Sequence, residues 1–266
     1  VNLLVPAAAN DGQTFQGPTI EEFFPQAVLF EGTPFELNRV MLIRILATIA
    51  LIVLMWIGTR AMKVVPGRFQ SVVEMGLDFI RVGVVEDLLG KKDGRRFLPL
   101  IAAIFFFVLF MNITGVVPLL NLAGSSVIGV PLVLAVIAYI AFIYAGVRKS
   151  PKLFFKNALL PAGVPPVLYI IVTPIEFIST FIIRPVTLTL RLLMNMIVGH
   201  LLLVLFFSAT TFFFLYAPAA FKAFGLGTLA FGFAFQLFEV LVALLQAYVF
   251  AILTTVYIQL AVAEEH

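Results

Sequence analysis

The sequence contains no cysteine and only two histidines, His200 and His266. The first absence removes disulfides, thiolate nucleophiles and thiol metal sites. The second leaves no basis for a histidine-based metal cluster. Charge is also scarce. Asp, Glu, Lys and Arg make up 12% of the 266 residues, about half the share of an ordinary globular domain. There is no Walker-type glycine loop ending in Lys-Ser/Thr, no Gly-x-Gly-x-x-Gly turn and no zinc-protease pattern. No cofactor and no metal are therefore expected. The first 37 residues carry no Lys or Arg, so the basic start of a signal peptide is missing and none is read there.

What the sequence has in excess is apolar surface. Hydrophobic residues are 62% of the chain, against about 45–50% in ordinary domains. A water-soluble fold of this length cannot hide that much, so the bulk faces lipid or other intramembrane helices. A disordered chain and a collagen-like fibre are excluded on the same ground. The expected fold is an all-α integral membrane protein with about five membrane helices. The last two are long and strongly tilted as a hairpin, and one amphipathic surface helix is added. No repeat or low-complexity tract interrupts the sequence, so 1–266 reads as a single membrane domain.

Charge distribution orients it. Residues 1–37 form an acidic leader with Asp11, Glu21, Glu22, Glu31 and Glu36. The first span is 40–58, with Arg44 one turn in and able to snorkel to the headgroups. Residues 60–96 then carry Arg60, Lys63, Arg68, Arg81, Lys91, Lys92, Arg95 and Arg96. The positive-inside rule counts these and mostly ignores acids, so this segment is cytoplasmic and the leader outside. Within it, 69–89 is amphipathic, with Glu74, Asp78 and Arg81 on one face. A two-span hairpin follows over 97–147. Its first helix covers 97–120, with Pro99 in the first turn and Asn112 bonding another helix. An uncharged outside loop at 121–129 leads to the second helix, 130–147. Arg148, Lys149, Lys152 and Lys156 make a second basic cluster on the same side as the first. Residues 157–166 read as a turn.

The remaining segment, 167–262, holds nearly all the intramembrane ionisable groups: Glu176, Arg184, Arg191, His200 and Glu239. A charge at bilayer depth costs at least about 2.5 kcal/mol, so such groups face an interior or an aqueous path. Residues 186–217 would span about 48 Å as a helix, too long to stand upright. Residues 228–262 are equally long. Arg191 is a permanent cation, whereas Glu and His exchange protons. Arg191 and Asn195 share a helix face. His200 lies about 180° around and about 13 Å further along, so these two serve separate regions. Gln236, Glu239 and Gln246 fall within about 60° of one another, which gives the last helix one polar stripe. In a hairpin, His200 and Glu239 approach each other and can relay protons. The plainer alternatives are an ion pair of Arg191 with Glu176 or Glu239, a packed hydrogen-bonded His200, and a structural Glu239. Arg184, just before Pro185, reads as an interfacial anchor.

The segment RPVTLTLRLLMNMIVGHLLLVLF, residues 184–206, resembles the a subunit of F-type ATP synthases. The family pattern is Arg-Leu, an Asn four residues after the Arg, then Gly followed by Glu or His. Arg191, Leu192, Asn195, Gly199 and His200 match it. Residues 238–266 are similar to the family's last helix, with Gln246, Ala247 and Tyr257, and MNITGVVP at 111–118 matches more weakly. Here His200 and Glu239 stand in the arrangement opposite to the commoner one. An exchange that keeps the pair's chemistry implies that the two positions are neighbours. The usual acid of the outside loop is absent from 121–130.

The resemblance implies a proton-translocating stator component of an ATP synthase, not an enzyme on its own. Protons would enter from outside near Glu239 and His200 and reach a carboxylate on a rotating ring of c subunits. They would leave through a second half-channel near Glu176, with Arg191 between the two. Implied partners are the c-subunit ring, a b-type peripheral stalk subunit, the F1 sector indirectly, and the lipid bilayer; nucleic acid is not one. The implied location is a bacterial plasma membrane, the N-terminus outside and the C-terminus cytoplasmic, with an organelle inner membrane as the alternative. A secondary transporter would need paired repeats or broken helices in matching halves, and a passive scaffold would not need titratable groups at depth.

Overall fold

The computed structural model describes residues 15, 17–19, 23, 27–29, 37–60, 62–117, 120, 122–160, 165 and 168–262. The acids of the leader, the tail 263–266 with His266, and most of 161–167 lie outside the described residues. Five helical stretches are long and apolar enough to cross a membrane: Arg39–Arg60, Arg68–Val116, Gly129–Lys149, Tyr169–Leu215 and Lys222–Val262. The only strands among the described residues are β1 (Ala27–Leu29) and β2 (Leu37–Asn38), which pair antiparallel before the first helix.

Helix α1 (Arg39–Arg60) buries only Val40, Ile43, Ala47 and Gly58. Its two outer arginines do not reach for headgroups, as the snorkelling expectation held for Arg44. Arg44 donates from Nε to the Gly124 carbonyl at 2.7 Å and from Nη2 to that of Val127 at 3.3 Å. Arg39 donates to the Leu120 carbonyl at 3.0 Å. The loop carries no acid, and its free carbonyls supply what the guanidiniums need. Gly124, Ser125 and Ser126 are buried accordingly. The Ser125 hydroxyl donates to Asn112 Oδ1 at 2.6 Å, which places Asn112 against this loop.

The amphipathic segment forms α2 (Arg68–Ile80), continued by a π-helical stretch, Arg81–Glu86. Phe69, Val72, Met75 and Val82 point outward, while Ile80, Val84 and Val85 are fully buried. The chain turns at Gly90, whose φ of 70° suits a residue without Cβ. It then folds back antiparallel as α3 (Asp87–Val116), so that Val85 lies against Gly94 and Gly76 against Phe106. Pro99 is therefore well inside the helix that follows Gly90 rather than in its first turn, because that helix begins several residues before the apolar run. Helix α3 stops at Val116, short of the expected 120. Val117 adopts an extended ψ of 121°, the bias imposed on a residue preceding proline, here Pro118.

Helix α4 (Gly129–Lys149) returns to the basic side, and α5 (Pro151–Leu159) follows. The second basic cluster is thus partly helical, and the expected turn at 157–166 starts late. Helix α6 (Tyr169–Ile178), a π-helical stretch (Ser179–Ile183) and α7 (Arg184–Leu215) run on without a break. The sequence reading separated them at Pro185. Proline is tolerated there because it follows the π-helical stretch, where the regular i→i−4 ladder is already interrupted and the Arg184 N–H bonds the Ser179 carbonyl. After the turn at 216–221, α8 (Lys222–Val262) runs back along α7. Thr210 donates to Thr228 at 2.9 Å near the turn, and Asn195 donates to Gln246 at 2.8 Å further in, as a hairpin requires. At about 1.5 Å per residue both members exceed a 30 Å hydrocarbon layer and must lie steeply inclined.

The core sits where α3, α4, α7 and α8 meet. Ala243, Ala247 and Ala251 are fully buried at four-residue spacing on α8, beside Ile101, Ile104 and Val108 of α3. Small side chains let helices approach closely where lipid offers no hydrophobic drive. Gly115 marks another close approach: a Cβ there would lie 2.9 Å from the Ala123 methyl. Gly115→Ala is expected to cost about 1–3 kcal/mol by overpacking. Gly83→Ala, with nothing within 4 Å, is expected to be neutral. The check is the thermal midpoint at which each variant is released from the solubilised complex.

Candidate proton-pathway site

The seven sequence candidates fall on the α6–α8 hairpin and separate into three places. Arg191 and Asn195 lie on the outward face of α7. Around them are the exposed apolar side chains Leu190, Met194 and Val198 of α7 and Leu241, Leu244 and Leu245 of α8. Among the described residues Arg191 has no hydrogen-bond or ion-pair partner, so neither Glu176 nor Glu239 neutralises it. Asn195, one turn on, is bonded instead to Gln246. Gln246 is buried and its Nε2 has no partner among the described residues.

The second place is internal. His200 and Glu239 are 6% and 4% exposed, on the opposite side of α7 from Arg191. The carboxylate rests directly on Gly199: a Cβ there would fall 2.6 Å from Glu239 Oε1. The glycine preceding the histidine thus creates the space that the acid fills. Glu239 Oε2 is buried with no hydrogen-bond partner among the described residues. A buried carboxylate oxygen left without a partner calls for a hydrogen-bond donor. Three residues before Glu239, Gln236 donates to the Val116 carbonyl at 3.2 Å, closing the open end of α3. The polar stripe of α8 is therefore real, and each of its members faces a different neighbour.

The third place is a cavity of about 340 Å³ near the other end of α7. Glu176, Thr180 and Arg184 line it together with Lys149, Ser150 and Val262. In an uninterrupted α-helix Glu176 and Arg184 would point about 80° apart. The π-helical stretch between them absorbs one extra residue, which returns both to one face. Arg184 also lies over the Tyr257 ring, 5.5 Å from its centre. The anchor expected from its neighbour Pro185 is thus also a cavity wall. Sequence reasoning gave no sign of Lys149 or Thr180 here, since a π-turn leaves no residue signature. It also passed over Phe23, whose ring packs on His200. Among the described residues no group of acids and histidines is placed to hold a metal ion.

Residues 41–259 match the family described as ATP synthase A chain. A protein of Rhodococcus erythropolis named ATP synthase subunit a is 47% identical over 254 residues, covering 95% of this chain and 92% of its own. Its namesake in Pseudarthrobacter chlorophenolicus is 36% identical, with 97% of both chains covered. That of Hyphomonas neptunium is 43% identical over 76% of this chain and 77% of its own. With a match spanning α1 to the end of α8 and relatives this similar over nearly the whole length, the chain belongs to the ATP synthase A chain family.

Proposed function

We propose that this chain is the stator a subunit of a bacterial ATP synthase Fo motor. Two offset half-channels carry protons to and from a carboxylate on a ring of c subunits. The observation that carries this reading is the position of Arg191. Among the described residues it is a permanent cation without a partner, on an apolar outer face and between two polar regions that do not touch it. Such a charge calls for a carboxylate from another chain. A rotor carboxylate passing Arg191 is held ionised, because a cation within a few ångströms favours the charged form. It releases its proton before Arg191 and takes one up after it. The same cation repels a proton moving straight between the half-channels.

The outer half-channel runs by His200 and Glu239, with Gln236 and Val116 at its wall. The inner one opens through the cavity of Glu176, Thr180 and Arg184. Arg191 is about 13 Å from the His200 level and about 22 Å from the Glu176 level along the helix, so neither region short-circuits the other. Asn195 and Gln246 clamp α7 to α8 one turn from the cation. Five helices long enough to span, with the basic clusters 60–96 and 148–156, support termini on opposite sides and a cytoplasmic C-terminus. The b-type stalk would hold the subunit against rotor torque, and the F1 sector is reached only through it and the rotor. The subunit moves ions and performs no phosphoryl chemistry itself.

The reading is tested by Arg191→Ala in membrane vesicles. ATP-driven proton pumping is expected to fall by about tenfold to a thousandfold, the range set by losing one to three units of carboxylate pKa, with the complex still assembled. Normal coupled pumping would sink the assignment. A second expectation concerns the buried pair. His200→Glu and Glu239→His singly should each reduce pumping strongly, and the double exchange should restore much of it. A double variant no better than either single would show that the two residues do not share one proton site.

A further inference from the structure

We propose that Phe23 is the outer seal of the proton site, a plug that shuts the His200 imidazole off from external water. The inference rests on the half-channel reading of His200 given above. Phe23 lies in the acidic leader, ahead of every membrane helix, yet it is 1% exposed. Its ring meets the imidazole edge-on, with centroids 5.0 Å apart and planes at 70°. Val40 and Ile43 of α1 and Leu122 of the outside loop enclose it, with Ile197 and Leu201 of α7 at the margin. The leader, α1, the loop and α7 therefore all converge on one ring, and that ring covers the histidine.

The placement is not a general stickiness of the leader. Phe15 also meets α7, edge-on to Phe212 at 5.8 Å. Phe212 is twelve residues beyond His200, so the leader touches α7 at two levels about 18 Å apart along the helix. A phenyl ring neither donates nor accepts a hydrogen bond. A proton bound for His200 must go round it or wait for it to swing aside. It also excludes water from the imidazole, and water exclusion strengthens the electrostatic interactions of whatever charge reaches it. Phe23 is in this sense a positioning residue, acting through the histidine it covers. Phe23 is not itself part of a membrane helix, so replacing it leaves the sequence of every membrane helix intact.

The experiment uses the assembled ATP synthase in membrane vesicles, with Phe23→Ala, Phe23→Leu and the parent. Diethyl pyrocarbonate modification of His200 is followed by mass spectrometry of its peptide, and passive proton conductance is measured after removal of F1. The content of this chain in the complex serves as the assembly control. The modification rate is expected to rise about tenfold or more in Phe23→Ala, the effect of exposing a site otherwise reached only by local opening. Phe23→Leu, which keeps an apolar plug of smaller reach, should fall between Ala and the parent. It decides the matter alone if the alanine variant does not assemble. Equal modification rates in parent and variants overturn the seal. A raised rate with unchanged conductance upholds the seal and instead removes His200 from the proton path, so the two readings fail separately.

Discussion

An arginine side chain cannot discard its charge at any accessible pH, and Arg191 holds that charge on an apolar face. Its cost at bilayer depth is about 2.5–3.5 kcal/mol even on the gentlest scale. The nearby Asn195–Gln246 hydrogen bond is worth about 0.6 kcal/mol by the average for such bonds in membranes. That bond cannot offset the cation. The α7–α8 pair must therefore be held by packing elsewhere, and the alanine stripe of α8 against α3 and α4 provides it. The hairpin is anchored on one side so that the other can present a charge awaiting a partner.

The pathway residues are aimed by small irregularities rather than by loops. The π-helical stretch Ser179–Ile183 rotates Glu176 onto the face of Arg184. Gly199 leaves room for the Glu239 carboxylate. Lipid-exposed loops cannot exist within hydrocarbon, because their backbone groups would go unsatisfied. Extra residues and missing side chains inside continuous helices are the remaining way to point a polar group without exposing backbone.

These devices explain what could be read from the sequence. Apolar run length located α1, α4 and the two long helices, since the hydrocarbon thickness alone sets it. The residue types at 191, 195, 200 and 239 marked the polar sites, because ionisable groups are costly at depth and rarely accidental. Arg44 was misjudged because a carbonyl-rich loop with no acid gives no hint that it will fold back onto a guanidinium. The helix through Pro185 and the cavity at Glu176 were missed for a related reason. A one-residue insertion alters phase without altering composition. Phe23 was invisible as one phenylalanine among 29, in a leader legible only by its acids.

The bonds from Arg39 and Arg44 to the outside loop join positions 80 to 83 residues apart. During synthesis α1 emerges first, with only four residues buried even in the finished fold. The two carbonyls that Arg44 bonds, those of Gly124 and Val127, are present only once residue 127 has been made and carried across the bilayer. Docking of the first helix is therefore a late event governed by chain order, and the loop carbonyls close the outer side only after α3 and α4 have crossed. The outer wall formed by α1 and the loop is thus closed between segments made far apart in time.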